Sequence, residues 1–154
     1  MLHLIPAPLH RRGLRLAHRL RTLWWRAAKP QLVGVNVLLC NAGGEVLLVR
    51  HSYEADRWTL PGGGLNRGEL PVDAARREIA EELGCEAEPL LPIGVNRRSL
   101  YGAPCTTHIF TGEPAGPLRP DRREVAEAHF FPRDALPQAR VPIVDAGLEM
   151  LEQR

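Results

Sequence analysis

A chain of 154 residues, 44% hydrophobic and 25% charged, has the length of one domain with its own core and the composition of an ordinary globular protein. No apolar run approaches the roughly 20 residues that a membrane-spanning helix needs. Three widely spaced cysteines, Cys40, Cys85 and Cys105, argue against a disulfide framework and a cysteine-bound metal, so a reducing, cytoplasmic compartment is the simplest expectation. The net charge of +2 hides an asymmetry: residues 1–44 hold seven basic side chains and no acid, while the remaining 110 hold 13 basic and 18 acidic ones. A mildly acidic body therefore follows a basic extension.

Residues 1–30 read as that extension. Leu16, Leu20, Leu23, Trp24 and Ala27 fall at helical spacing and form one apolar stripe. Arg12, Arg15, Arg19 and Arg26 flank the stripe, and Lys29-Pro30 is a stop signal. The leading expectation is that the stripe packs on the domain or on a partner subunit, which leaves a homodimer open. A membrane-surface helix is an alternative, since Trp24, Trp25 and the arginines suit an interface. Nucleic-acid binding is not expected, because the aromatics are not interleaved for base stacking. Arginines interrupt every apolar run, against a secretory signal, and the first serine is Ser52, against a transit peptide.

Val33 to Cys40 is apolar and rich in branched residues, the pattern of a buried strand. Asn41 to Gly44 is a turn and Glu45 to Arg50 a second strand, which predicts a hairpin. Trp58 to Leu60 is a strand fragment leading into Pro61-Gly62-Gly63-Gly64. Residues 71–83 are helical in pattern, with Val72, Ala75, Ile79 and Leu83 on one stripe. Pro71 suits the first helical position; Leu70 is a poor cap, and Glu69 is the substitute. Pro89 to Val95, Thr106 to Thr111 and Val125 to Phe131 read as strands. Gly112 to Arg122 reads as a loop, Pro132 to Pro137 as a turn, and Val144 to Glu152 as a closing helix.

The stretch Gly63 to Cys85 carries the chemistry. Its marked positions are Gly63, Glu69, Arg77-Glu78-Ile79, Glu81-Glu82 and Gly84-Cys85. Glu78 lies three residues before Glu81 and four before Glu82, so all three can address one point from one side of a helix. Carboxylates this close repel unless cations intervene, and their hard oxygens suit magnesium or manganese. The glycines just ahead let a backbone come close to a phosphate. Together they point to chemistry on a pyrophosphate.

These spacings match the Nudix box, G-x5-E-x7-R-E-U-x-E-E-x-G-U with U apolar, if Cys85 counts as the last apolar position. A chance match is on the order of one in a billion per starting position. The chain thus resembles a Nudix hydrolase, over a span from Val33 to Pro137 that includes Trp58 to Gly63 ahead of the box and Glu124-Val125-Ala126-Glu127 with Phe130-Phe131 behind it. The resemblance implies the α/β class: a Nudix-type α/β/α sandwich around a mixed sheet at residues 31–154, preceded by the helical extension at residues 1–30. The alternation of strands and helices agrees.

By that resemblance, Glu78, Glu81 and Glu82 bind a divalent metal, Mg2+ or Mn2+, and the Gly62 carbonyl supplies another ligand. Arg77 and Glu69 form an orienting ion pair, and Gly62, Gly63 and Gly64 form the turn that admits the diphosphate. The implied reaction is attack of water on a phosphorus of a nucleoside diphosphate linked to another group. Glu78 inside the box, or Glu124 or Glu127 outside it, takes the water's proton. Arg50-His51 ends the second strand near the expected cleft, where it can meet phosphate. Tyr101 lies 16 residues past the box, where dinucleoside polyphosphate members often carry a tyrosine; Pro104, close by, blurs that distinction from ADP-ribose members. Two other functions stay open. One is a catalytically silent, nucleotide-binding regulatory Nudix domain, against which the intact carboxylates speak. The other is an isoprenoid isomerase of the same fold, against which the intact box and short chain speak.

Overall fold

The computed structural model describes residues 7–54 and 56–154; residues 1–6 of the extension and Ala55 lie outside the described residues. Ala7–Ala28 forms helix α1, which ends where Lys29 turns to φ 45° ahead of Pro30. Strands β1 (Leu32–Leu39), β2 (Val46–His51) and β3 (Gly62–Gly64) precede helix α2 (Pro71–Leu83). After it come β4 (Glu86–Ala87), β5 (Leu91–Leu100), β6 (Ala103–Gly112), β7 (Pro114–Ala115), β8 (Val125–Phe131) and helix α3 (Ile143–Glu152).

The main sheet has the order β3-β1-β6-β5. β1 runs parallel to β6, and the pairs β1–β3 and β5–β6 are antiparallel, so the sheet is mixed. β2 pairs antiparallel with β8, and β4 with β7. The hairpin expected of the first two strands does not form: a single bridge, Cys40–Val46, joins them. The turn itself is as read, with the Asn41 side-chain oxygen accepting the N–H groups of Gly43 and Glu45 at 3.0 Å each. A turn only reverses the chain. Both edges of β1 are already taken by β3 and β6, so β2 finds its partner in β8.

Strand alternation sorts the core into two layers. Val35, Val37 and Leu39 of β1 and Leu47 and Val49 of β2 pack with Ala74, Ala75, Ile79 and Leu83 of α2. The intervening Leu38, Val46 and Leu48 pack with Leu60 and with Val144 and Leu148 of α3. Helices therefore cover opposite faces, as an α/β/α sandwich requires. α2 starts at Pro71 with no side-chain cap on Leu70, and Gly84 ends it at φ 60° with its N–H on the Ala80 carbonyl. Glu69 does not cap the helix; its carboxylate takes the Asn66 N–H and Arg77 instead.

Two further expectations change. β5 runs on through Arg98 to Leu100, and Tyr101 and Gly102, both at positive φ (50° and 83°), make the two-residue turn into β6. The leucine stripe of α1 does not pack on the domain. Leu16, Leu20, Leu23 and Trp24 are each nearly 60% exposed. The domain-facing side is the less greasy one, with Leu14, His18 and Trp25 partly covered.

Candidate active site

Two of the three glycines of β3, Gly62 and Gly63, sit where their surroundings have no room for a side chain. Gly62 has φ +147°, and a Cβ there would run into the Val35 carbonyl. A Cβ on Gly63 would run into the Glu78 carboxylate. Backbone and carboxylate thus share one small space. Glu82, one turn further along α2, is buried and reaches the same strand. Its Oε2 accepts the Gly62 N–H at 3.0 Å, and its Oε1 accepts from His51 Nε2 at 2.6 Å. Burial alone would lower the His51 pKa, but the Glu82 hydrogen bond and charge outweigh it and hold the imidazole above its ordinary value.

Arg77 braces this corner. Its Nε and Nη2 donate to the two oxygens of Glu69 at 2.9 and 3.0 Å, and Nη2 also reaches the Gly64 carbonyl at 2.9 Å. Its Nη1 donates to Glu78 at 2.8 Å and to Glu81 at 3.3 Å. The Arg77 bond, followed by the Asn66 N–H, holds the Glu69 carboxyl down at about 2. Glu78 is pushed the other way: burial raises it, and the charges of Glu82 and Glu81 add to this against the pull of Arg77.

Glu78, Glu81 and Glu82 do not all face one point. Glu78 and Glu82 line the cleft. Glu81 stands outside with its side chain 62% exposed, where Arg77 reaches it. Among the described residues no three acidic, histidine or cysteine side chains stand ready as a metal centre. The reason is visible in the contacts: Glu82 has turned onto His51 and Gly62, and Arg77 occupies Glu81.

A cavity of about 550 Å³ opens over Gly62, Gly63 and Gly64, within the range of small-molecule sites. Its walls include His51, Tyr53, Tyr101 and, from α1, His18, Arg21 and Trp25. The rings of His18, Tyr53 and His51 form a column, with centroids 4.8 and 4.9 Å apart and planes within 29° and 11°. Tyr101 meets His18 edge-on at 5.6 Å and lies 6.1 Å from Trp25. Its hydroxyl donates to Glu54 at 3.0 Å, and burial together with Glu54 pushes the phenol up to about 12. Arg57 and Arg98 bring positive charge to the wall, and Arg98 Nε is buried with no hydrogen-bond partner among the described residues. Glu124 also lines the cavity; burial, then Asp121 and Glu82, push its carboxyl up.

Arg50 is not part of this cavity. It falls on the α3 side of β2, pairs with Glu127 at 2.8 Å and lies over the Trp58 ring at 5.3 Å. Its neighbour His51 takes the cavity-facing position by strand alternation. Glu127 leaves the set of proton acceptors with Arg50. Of the pair Arg50-His51 expected near the cleft, the structure brings only His51 to the cavity; sequence reasoning missed Tyr53 and the inner side of α1. The period-two register of β2 separates His51 from Arg50; nothing local pointed to Tyr53 or to α1.

A layered α/β architecture thus sets a glycine strand and the glutamate-bearing helix that follows it beside one cavity. The chain belongs to the Nudix hydrolase family: the NUDIX domain model matches residues 30–151. Members generally use divalent metal cations. An RNA pyrophosphohydrolase of Rhodospirillum rubrum is 40% identical over 65 residues, which cover 42% of this chain and 39% of that protein. A Bacillus subtilis protein, named for a proposed 8-oxo-dGTP diphosphatase activity, is 34% identical over 110 residues, 71% of this chain and 72% of that one. The chain therefore spans about two fifths of the first relative and most of the second. The crystal structure of a MutT NUDIX hydrolase from Burkholderia pseudomallei superposes with a TM-score of 0.73 at 26% identity, covering 79% of this chain and 98% of that one.

Proposed function

We propose that the chain is a Mg2+- or Mn2+-dependent hydrolase that cuts a phosphoanhydride bond in a nucleoside diphosphate joined to another group. The observation that carries this reading is Glu78 and Glu82 lining one cavity beside Gly62, Gly63 and Gly64. The donor set fits a hard divalent cation. Burial and neighbouring carboxylates raise Glu78, and a cation relieves both costs. Glu78, Glu82 and, once released by Arg77, Glu81 would hold it, with the Gly62 carbonyl as a further oxygen. Bound there, the cation neutralises phosphate charge and makes water more acidic.

The chain's own residues do the rest. Gly62, Gly63 and Gly64 admit the diphosphate to the backbone. The Glu69–Arg77 pair holds the loop before α2 in place. Glu124, a cavity carboxylate with a raised pKa, accepts the proton of the attacking water. The ring wall, including Tyr101, receives the flat base by stacking, and Arg57 and Arg98 meet phosphate oxygens.

The test is a panel of nucleotides, dinucleotides, nucleotide sugars and 5′-triphosphorylated RNA, assayed with Mg2+ and with products identified. The RNA arm follows the name of the Rhodospirillum relative. Cleavage that requires the cation and is lost in Glu124→Gln supports the reading. Thermal stabilisation by a panel member without any product overturns it in favour of a silent nucleotide-binding domain.

A further inference from the structure

Helix α1 has a second side that the cavity does not use. Leu9, Leu16, Leu20, Leu23 and Trp24 are 58–60% exposed. At 100° per residue they fall within an arc of roughly 100°, in a row about 22 Å long. The opposite side is committed: His18 and Trp25 line the cavity, Arg11 donates to the Arg122 carbonyl at 2.6 Å, and Arg15 donates to the Ser52 carbonyl at 3.0 Å. Arg12, Arg19 and Arg26 run along one border of the leucine row and are exposed. The helix contains six arginines and no acid, and no acidic residue occurs before Glu45.

We propose that this outer face docks on an anionic lipid surface, with the helix lying in the plane of the headgroups. A leucine row with a tryptophan at its edge suits the boundary between headgroups and acyl chains. The arginine border suits negative headgroups. No described helix is long and apolar enough to cross a membrane, so contact is along the helix rather than through the bilayer. A second copy of the chain is a poor occupant, because it would bring a second border of Arg12, Arg19 and Arg26 to the same face with no acid on either helix to offset the charge. This surface is independent of the proposed hydrolysis, whose residues lie on the other side of α1.

Co-sedimentation of the full chain with vesicles tests it. Vesicles of phosphatidylcholine alone are compared with vesicles holding roughly 30% phosphatidylglycerol, at about 0.1 M and about 0.5 M salt. The expected result is binding to the anionic vesicles only, weakened at high salt. The double variant Leu16→Ser/Leu20→Ser and the double variant Arg12→Glu/Arg19→Glu each lower the bound fraction at least roughly tenfold, with an unchanged melting temperature to show that the fold persists. No binding to anionic vesicles, or binding untouched by the leucine variant, overturns the proposal. So does a lipid-free dimer in analytical ultracentrifugation that the leucine variant dissolves, since a second copy would then cover the face.

Discussion

Glu82 is asked to do two things, and replacing it in two ways separates them. It is buried (4% exposed) and accepts hydrogen bonds from His51 Nε2 at 2.6 Å and from the Gly62 N–H at 3.0 Å. Glu82→Ala leaves both donors without a partner. At about 1–3 kcal/mol for each orphaned buried group, the cost is about 2–6 kcal/mol, a large part of the roughly 5–15 kcal/mol that holds a domain folded. Glu82→Gln keeps the volume and an oxygen for Gly62, and its amide N–H can face His51 in the other tautomer. Exchanging a charge-assisted bond for a neutral one costs about 1 kcal/mol. On the proposed function both variants would lose a cation ligand, so both are expected to lose at least about 100-fold in Mg2+-dependent turnover, equivalent to about 2.7 kcal/mol at the transition state. Urea unfolding followed by circular dichroism gives the stabilities; product release at varied Mg2+ gives the activities. If Glu82→Gln destabilises as much as Glu82→Ala, the hydrogen-bond account is wrong. If Glu82→Gln keeps its turnover and its Mg2+ requirement, Glu82 does not hold the cation.

Gly63→Ala places a methyl group against the Glu78 carboxylate and is expected to lower kcat roughly 30-fold with an unchanged circular dichroism spectrum; full turnover would show that Glu78 has room to move at no cost. Glu69 has a folded-state pKa of about 2, below its ordinary 4.5. Its ionised form is therefore the stabilising one: the contribution is complete above about pH 4.5 and is lost as pH falls toward about 2. The stability gap between the wild type and Glu69→Gln should be flat at neutral pH and narrow through that window, and a gap undiminished at pH 2 would refute the ion-pair reading. His18→Ala removes one ring of the cavity wall, so KM should rise roughly tenfold with kcat little changed; a loss confined to kcat would place His18 in the chemistry rather than in substrate holding.

The box was legible because its information is local. Residues 71–83 fold as the periodicity indicates, Gly84 ends the helix in the left-handed region, and Arg77 meets Glu69 in the paired geometry that the resemblance implied. What the sequence could not show is where strands go after a turn and which side of an element faces inward. The Asn41 turn is present, yet the hairpin is not, since pairing is decided by the parallel β6 that arrives some 65 residues later. Arg50 and His51 are adjacent, and only the β2–β8 register sends one toward Glu127 and the other toward Glu82. α1 has a greasy side and a mixed side. Periodicity selects the greasier one as the buried one, whereas the cavity needs rings and charge, so His18, Arg21 and Trp25 face inward and the leucines face out.

That inner side of α1 divides the chain's labour in a way useful for design. The match to the family domain begins at residue 30, and the groups proposed for the chemistry lie at residues 62–82 and 124. Part of the wall that a substrate would touch comes from residues 14–25, in a separate segment that contributes none of those groups. Selectivity can therefore drift, or be engineered, by changing one helix while the carboxylates stay as they are. Conversely, on the proposed reading, a chain cut back to the family domain would keep the carboxylates but present a wider, less selective mouth, so a substrate profile measured on it would differ from that of residues 1–154.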